Sequence, residues 1–245
     1  MPKLTGPTII EAQDLYTQSS APMHKLGQLG FDQYGSRYRY VKAGGSNLVT
    51  GNLLQEPAED TNFRSMAAAA NSAIGSTSIS VTLGGTAVTA GMFDQGELVV
   101  ESSTGIGQYF RIKSHTVQTS TTGTCVFEVD RPVKIAIVSA TSQISVRKNA
   151  YNGVIQSPAT TQTGGIVGVA LYAMTAAYYG WIVSGGDCAV LMDAGTNTAN
   201  DQQAILPSVG TAGSAEGVGA GVHLGYCKEV ASTDSTMNFV HLMID

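Results

Sequence analysis

The densest group of residues able to move protons is acidic: Asp94, Glu97, Glu101, Glu128 and Asp130. Two carboxylates about 5 to 9 Å apart can hydrolyse a glycoside, one as acid and the other as base or nucleophile. Glu128 and Asp130 would share one strand face, roughly 7 Å apart by strand rise. Any i, i+2 pair meets that spacing, and Arg111, Lys113, Arg131 and Lys134 lie nearby in sequence. Surface ion pairs are the simpler account, so no catalytic residue is assigned.

The other reactive residue types are scattered. His24, His115, His223 and His241 are far apart, and none has a second ligand at metal-binding spacing. They are expected at strand ends or interfaces, and no metal ligand is assigned. Cys125, Cys188 and Cys227 are odd in number and widely spaced, with no CxxC. That argues against a disulfide framework or a zinc site and for buried free thiols. No GxSxG elbow is present. Gly105-Ile106-Gly107 and Gly217-Val218-Gly219-Ala220-Gly221 have the glycine spacing of nucleotide loops. Neither opens a helix in a βαβ unit and neither carries Gly-Lys-Ser/Thr, so both read as bends. Asp193-Ala194-Gly195-Thr196-Asn197 starts like a calcium loop but lacks the later glycine and terminal glutamate, and reads as a turn. No cofactor is expected. Tyr172, Tyr178, Tyr179 and Trp181 form an aromatic cluster that suits either an interface or a core around the single tryptophan.

The elements that must hold these residues read as β. Ser36–Lys42 alternates, with tyrosines on one side and arginines on the other. Leu48–Gln55, Ser78–Leu83, Leu98–Glu101, Gln108–Lys113, Cys125–Val129 and Gln143–Val146 read as strands separated by glycine turns. Ala67–Ala70 fits a helix or a small-residue strand equally well. Asn152-Gly153 is a tight-turn pair. Gly165–Met174 reads as an apolar strand, and Tyr179–Val183 and Cys188–Met192 as a hairpin turning at Ser184-Gly185-Gly186-Asp187. Residues 210–221 read as a loop, and His223–Glu229 and Met237–Ile244 as the last strands. The expected fold is all-β, sandwich- or barrel-like, in two β domains. Residues 25–60 with 150–245 make one discontinuous domain and 65–149 an inserted second, the breaks falling at Pro57-Ala58-Glu59-Asp60 and Arg147-Lys148-Asn149. Residues 1–24 read as an extended N-terminal arm.

Composition narrows the class of function. The chain has 245 residues, 43% hydrophobic, and a net charge of −5. Only 13% of residues are charged, against a usual value of roughly 25%. A surface of Ser, Thr, Asn, Gln, Gly and Ala desolvates at low cost, which suits partial covering by partners; a neutral, hydroxyl-rich surface is the plainer alternative. No basic stripe exists, so no nucleic-acid partner is expected. The Arg37-Tyr38-Arg39-Tyr40 run is explained by strand alternation. No apolar run reaches the roughly 18 residues of a membrane span, and Met1–Gly6 lacks a signal-peptide layout. The expectation is a soluble protein made in a cytoplasm, with no membrane partner.

Three stretches carry a family resemblance. They are FDQYGSRYRYVKAGGSNLVTGNLLQ at 31–55, GELVVESSTGIGQYFRIKSHT at 96–116 before Arg131-Pro132-Val133, and the run YNGVIQSP, IVGVALYAMTAAYYGWIVSGGDCAVLMDAG and GVHLGYCKEV between 151 and 230. In order and texture the chain resembles capsid-decorating (cement) proteins of tailed bacteriophages. The resemblance implies a non-enzymatic virion protein, made in the host cytoplasm and bound to the capsid surface. Its partners would be the major capsid protein and its own copies, as a homotrimer or similar small oligomer. The arm would cross-link capsomers, and Ile9, Ile10, Leu15, Tyr16, Tyr178 and Tyr179 are the candidate interface residues. A tail or head-fibre protein of a phage shares this texture, and a carbohydrate-active β enzyme is the alternative of another class.

Overall fold

Short alternating strands cannot bury their apolar faces singly, and this chain closes them into rings. The computed structural model describes residues 8–10, 14–193, 201–217, 223–230 and 234–245. The fold is all-β: the described residues form seventeen strands and two single-turn 3-10 segments, Asp14–Tyr16 and Thr61–Phe63. The chain divides into two units, Met1–Ala58 with Ala150–Asp245, and Glu59–Asn149. The first unit opens with β1 (Thr8–Ile9), β2 (Leu29–Phe31), β3 (Arg37–Ala43) and β4 (Leu53–Gln55). The second holds β5 (Met66–Ala67), β6 (Ser78–Thr82), β7 (Glu97–Ser102), β8 (Tyr109–His115), β9 (Thr124–Val129) and β10 (Gln143–Arg147). The chain then completes the first unit with β11 (Asn152–Gln156), β12 (Ile166–Val169), β13 (Tyr179–Met192), β14 (Ala204–Pro207), β15 (Ala215–Gly217), β16 (Gly225–Cys227) and β17 (Thr236–Met243).

The Glu59–Asn149 unit is a single barrel. Its strands run β5-β10-β7-β8-β9-β6, all antiparallel. An Ala68–Val81 bridge brings the two ends together. Alternation sends Val81, Leu98, Phe110, Phe127 and Ile144 inward, where they are buried in one core. Such side chains fill a small barrel completely. The ambiguous alanine run is not a helix: Ala67 ends β5, Ala68 makes the bridge to Val81, and Ala68 N–H donates to Ser142 O and Ala69 N–H to Ser80 O. Partners on both sides decide what propensity leaves open.

The first unit contains two five-strand rings that share β13. One runs β3-β11-β4-β12-β13 and back to β3. The other runs β13-β15-β14-β16-β17 and back to β13. Val41, Leu54, Val154 and Ile182 sit in the core of the first ring. Val190, Ile205, Ala215, Cys227, Val240 and Leu242 belong to the core of the second, which continues onto Tyr38, Tyr40 and Trp181.

This sharing corrects the expected hairpin at Ser184–Asp187. β13 is one strand of 14 residues that changes partners: Gly185 pairs with Arg37 of β3 and with Met243 of β17. Gly186, at φ +93°, supplies the bend. The glycines mark a hand-over between rings rather than a reversal. Asn152-Gly153 is likewise no turn. It starts β11, with Gly153 at φ +97° in a register shift against β3. Three expected strands are shorter than read, found as Leu53–Gln55, Ile166–Val169 and Gly225–Cys227, and Leu48 meets Met174 only through a bridge. Conversely, β15 lies inside the 210–221 segment read as loop, because Ala215 pairs with both Met192 and Pro207.

Candidate functional site

The acidic group falls on the outer wall of the six-stranded barrel. Asp130, Glu97 and Glu101 are engaged locally. Asp130 accepts a hydrogen bond from Arg111 N–H at 2.8 Å and pairs with Arg131 at 2.9 Å. Burial pushes its carboxyl up, but the Arg131 and backbone hydrogen bonds outweigh that and hold it below the ordinary range. A glycosidase acid needs the opposite shift. Glu97 pairs with Arg111 at 2.8 Å. Glu101 accepts from Ser145 Oγ, Ser65 Oγ and Ser65 N–H, and is lowered by them in that neighbourhood. Among the described residues no three His, Cys, Asp or Glu side chains converge on a metal position. His115 packs beside Phe93 and Phe127, and its Nε2 accepts the Phe93 N–H at 3.1 Å. The cysteines are free thiols, and burial pushes Cys188 up to about 12. Gly105-Ile106-Gly107 is a bend with both glycines at positive φ. Residues 194–197 and 218–221 of the other two glycine-bearing loops lie outside the described residues.

The described part of the N-terminal arm lies along its own unit. Thr8–Ile9 runs parallel to β2, and Ile10 N–H donates to Phe31 O at 2.8 Å. Ile10 fills the space above Gly30, where a Cβ would stand 2.1 Å from Ile10 Cδ1 and 3.1 Å from Trp181. Ser19 and Tyr179 exchange backbone hydrogen bonds at 2.9 and 2.8 Å. His24 packs its ring 5.0 Å from Tyr40 and 5.1 Å from Trp181. Ile10 and Leu15 are therefore core residues of this chain, not surface open to a neighbour. Of the six candidate interface residues, Ile9 and Tyr16 are exposed. Tyr178 is half-buried against the first-ring core. Tyr179 stacks on Tyr40 at 6.3 Å with the Lys42 ammonium 5.4 Å from its ring. The aromatic cluster is thus largely internal, and Tyr172 donates to Thr17 O at 2.9 Å beside the Tyr16 ring.

A further exposed apolar face lies on β17. Its burial alternates strictly: Asn238, Val240 and Leu242 point inward, and Met237, Phe239, His241 and Met243 point outward. Phe239 is 66% exposed, Met243 62% and Met237 46%. Across the ladder, Leu191 faces Met237, Ala189 faces Phe239 and Asp187 faces His241. On the other side Tyr226 faces His241 and stacks on it at 5.1 Å. Asp187 accepts from Lys228 at 2.5 Å and lies 2.7 Å from His241 Nδ1. The Lys228 hydrogen bond first, and His241 second, hold the Asp187 carboxyl below its ordinary range. The face is thus apolar with one neutralised charge cluster set into it. Residues 236–243 carry the signal for it, since both alternating sets are apolar-rich.

A smaller apolar rim belongs to the six-stranded barrel. Gln108 joins two loops there, donating to Ile135 O and Gly105 O and accepting from the Lys134 and Ile135 N–H groups. Ile106 and Ile135 stand exposed on them. Compared with family models, curated proteins and solved structures, the chain has no match.

Proposed function

We propose that the protein is a non-enzymatic virion structural protein of the capsid-decorating kind. It binds the outer shell of a tailed phage, through the major capsid protein, and stabilises the shell by bridging capsomers. One observation carries this reading: all three rings are filled with side chains, while apolar groups stand on the outside. Recognition chemistry is therefore on walls and rims, which suits binding of large surfaces. The sparse charge supports the same reading, because little charge must be dehydrated on docking. Ile9 and Tyr16 on the arm, and Ile106 and Ile135 on the barrel rim, are the groups offered to the shell. A protein that binds the assembled shell and not its free subunits stabilises assembly by mass action. Cryo-EM of the particle tests the proposal. Density for this chain at capsomer junctions on the outside of the shell is expected. Density confined to the tail or a fibre would replace the role with another structural one, and absence from the particle would sink the proposal.

A further inference from the structure

We infer that the first unit is one five-strand barrel motif used twice, and that the six-stranded barrel is a guest module in a connection which both copies of the motif provide. β13 closes the first copy and opens the second. In chain order the first copy is β3, β4, β11, β12 and β13, and the second is β13, β14, β15, β16 and β17. In both, the first strand runs parallel to the third. The remaining pairs are antiparallel in both: third with second, second with fourth, fourth with fifth, and fifth with first.

The register agrees as well as the order. Gly168 of β12 and Gly225 of β16 correspond. Both are held at positive φ, +157° and +153°, and a Cβ on either would run into a carbonyl of the fifth strand, Val183 O or His241 O. Gly168 pairs with Leu54, and Gly225 with Ile205. Leu54 pairs with Gln156 and Ile205 with Gly217, so Val154 corresponds to Ala215. These two pair with Ala43 and Met192. Counting back along the first strand, Tyr38 and Asp187 pair with Val183 and His241. Those in turn pair with Val169 and Tyr226, the residues that follow the two glycines. The circuit closes without a slip. A slip of two residues at any strand would keep the alternation yet break the circuit, so alternation alone does not impose the match. Equal strand number and equal stagger define the same barrel.

The guest sits between the second and third strands of the first copy, where the chain carries Glu59–Asn149. In the second copy the same connection is residues 208–214. Its ends adjoin: Ser208 N–H donates to Ser214 O at 2.9 Å. The corresponding Pro57 and Gly153 adjoin too, with Pro57 Cβ 4.0 Å from where a Gly153 Cβ would stand. Adjacent exits suit a folded guest, whose own fold holds its ends together and spares the host loop-closure entropy. The tip at Val209 and Gly210 is exposed. The 208–214 loop is therefore a second graft position. The inference concerns the chain alone and does not rest on the shell-binding proposal.

Inserting a small two-state domain with adjacent termini between Val209 and Gly210 of the full chain tests the graft position. The host melting temperature is expected to fall by less than about 5 °C, with β14–β17 amides still protected from hydrogen exchange. A second guest of unrelated fold separates a fault of the guest from a fault of the position, and loss of that protection with both overturns the inference. Gly168→Ala and Gly225→Ala test the repeat itself. Each is expected to lower the melting temperature by about 4–12 °C, the first loosening exchange in β12 and the second in β16. A neutral result at either glycine overturns the repeat.

Discussion

The six-stranded barrel and the β17 wall follow the same two-residue period and differ in what they show to the outside. In the barrel, β7, β8 and β9 put Leu98, Phe110 and Phe127 inward and Glu97, Arg111 and Glu128 outward. β17 puts Val240 and Leu242 inward but also Met237, Phe239 and Met243 outward. The first half of β13 explains the difference. It too is apolar on both faces: Trp181 and Val183 belong to one core and Ile182 to the other. For β13 the chain provides a cover on both faces, whereas β17 is covered by its own ring on one face and leaves Met237, Phe239 and Met243 exposed on the other.

Substitutions can break or sharpen this comparison. Interior positions should behave alike in both units. Phe127→Ala and Trp181→Ala are each expected to cost about 3–5 kcal/mol, measured by denaturant unfolding. A loss under about 1 kcal/mol at either would mean that the ring is not packed as described. Next is Gly225→Ala. At φ +153° and with a Cβ falling 1.9 Å from His241 O, any side chain there pushes β16 off β17. A loss of about 2–3 kcal/mol is expected from strain and lost pairing, and an unchanged melting temperature would contradict the register.

A third effect depends on pH. Arg39 grips Asp245 with two hydrogen bonds, at 2.6 and 2.9 Å. Burial raises the Asp245 carboxyl, but Arg39 and Ser184 outweigh it, so its folded value lies below the ordinary 3.8. A depressed carboxyl contributes fully above its unfolded pKa and loses that contribution as the pH falls through the folded value. Stability should therefore fall below about pH 4, and Asp245→Asn should flatten part of that acid limb in a series of thermal melts. An acid limb identical in the two proteins would show that the pair does not contribute. The smallest effects belong to the outer walls. Glu128→Gln with Asp130→Asn should change stability by less than about 1 kcal/mol and leave any glycan-cleavage assay at background. Cleavage abolished by that pair would revive the carbohydrate-enzyme reading.

The barrel was the legible part of the sequence. Its strands alternate hydroxyl or charged residues with apolar ones, so Ser78–Thr82 and Thr124–Val129 could be read almost to the residue. The first unit was harder because its signals have two meanings. Gly185-Gly186 marks a turn when one strand ends and a bend when a strand changes partners, and only the pairing with Arg37 and Met243 decides between them. Asn152-Gly153 met the same ambiguity. At the candidate site, Ile10 and Leu15 looked like a free arm because Gly30, which makes room for Ile10, is twenty residues away in sequence. Phe239 was visible as a strand residue. Which face of β17 the ring closes over was not, since both alternating sets are apolar.

Methionine oxidation footprinting tests the facing of β17 and the closed rings most directly. Met237 and Met243 lie on the outward face of β17, and Met23, 70% exposed, lies on the N-terminal segment as an internal reference. Thioether oxidation follows exposure. Met237, Met243 and Met23 should oxidise at comparable rates, while Met174 and Met192, buried in the two ring cores, should stay protected until the chain unfolds. Protection of Met237 and Met243 with rapid oxidation of Met192 would contradict the account, because β17 would then turn its other face to the core.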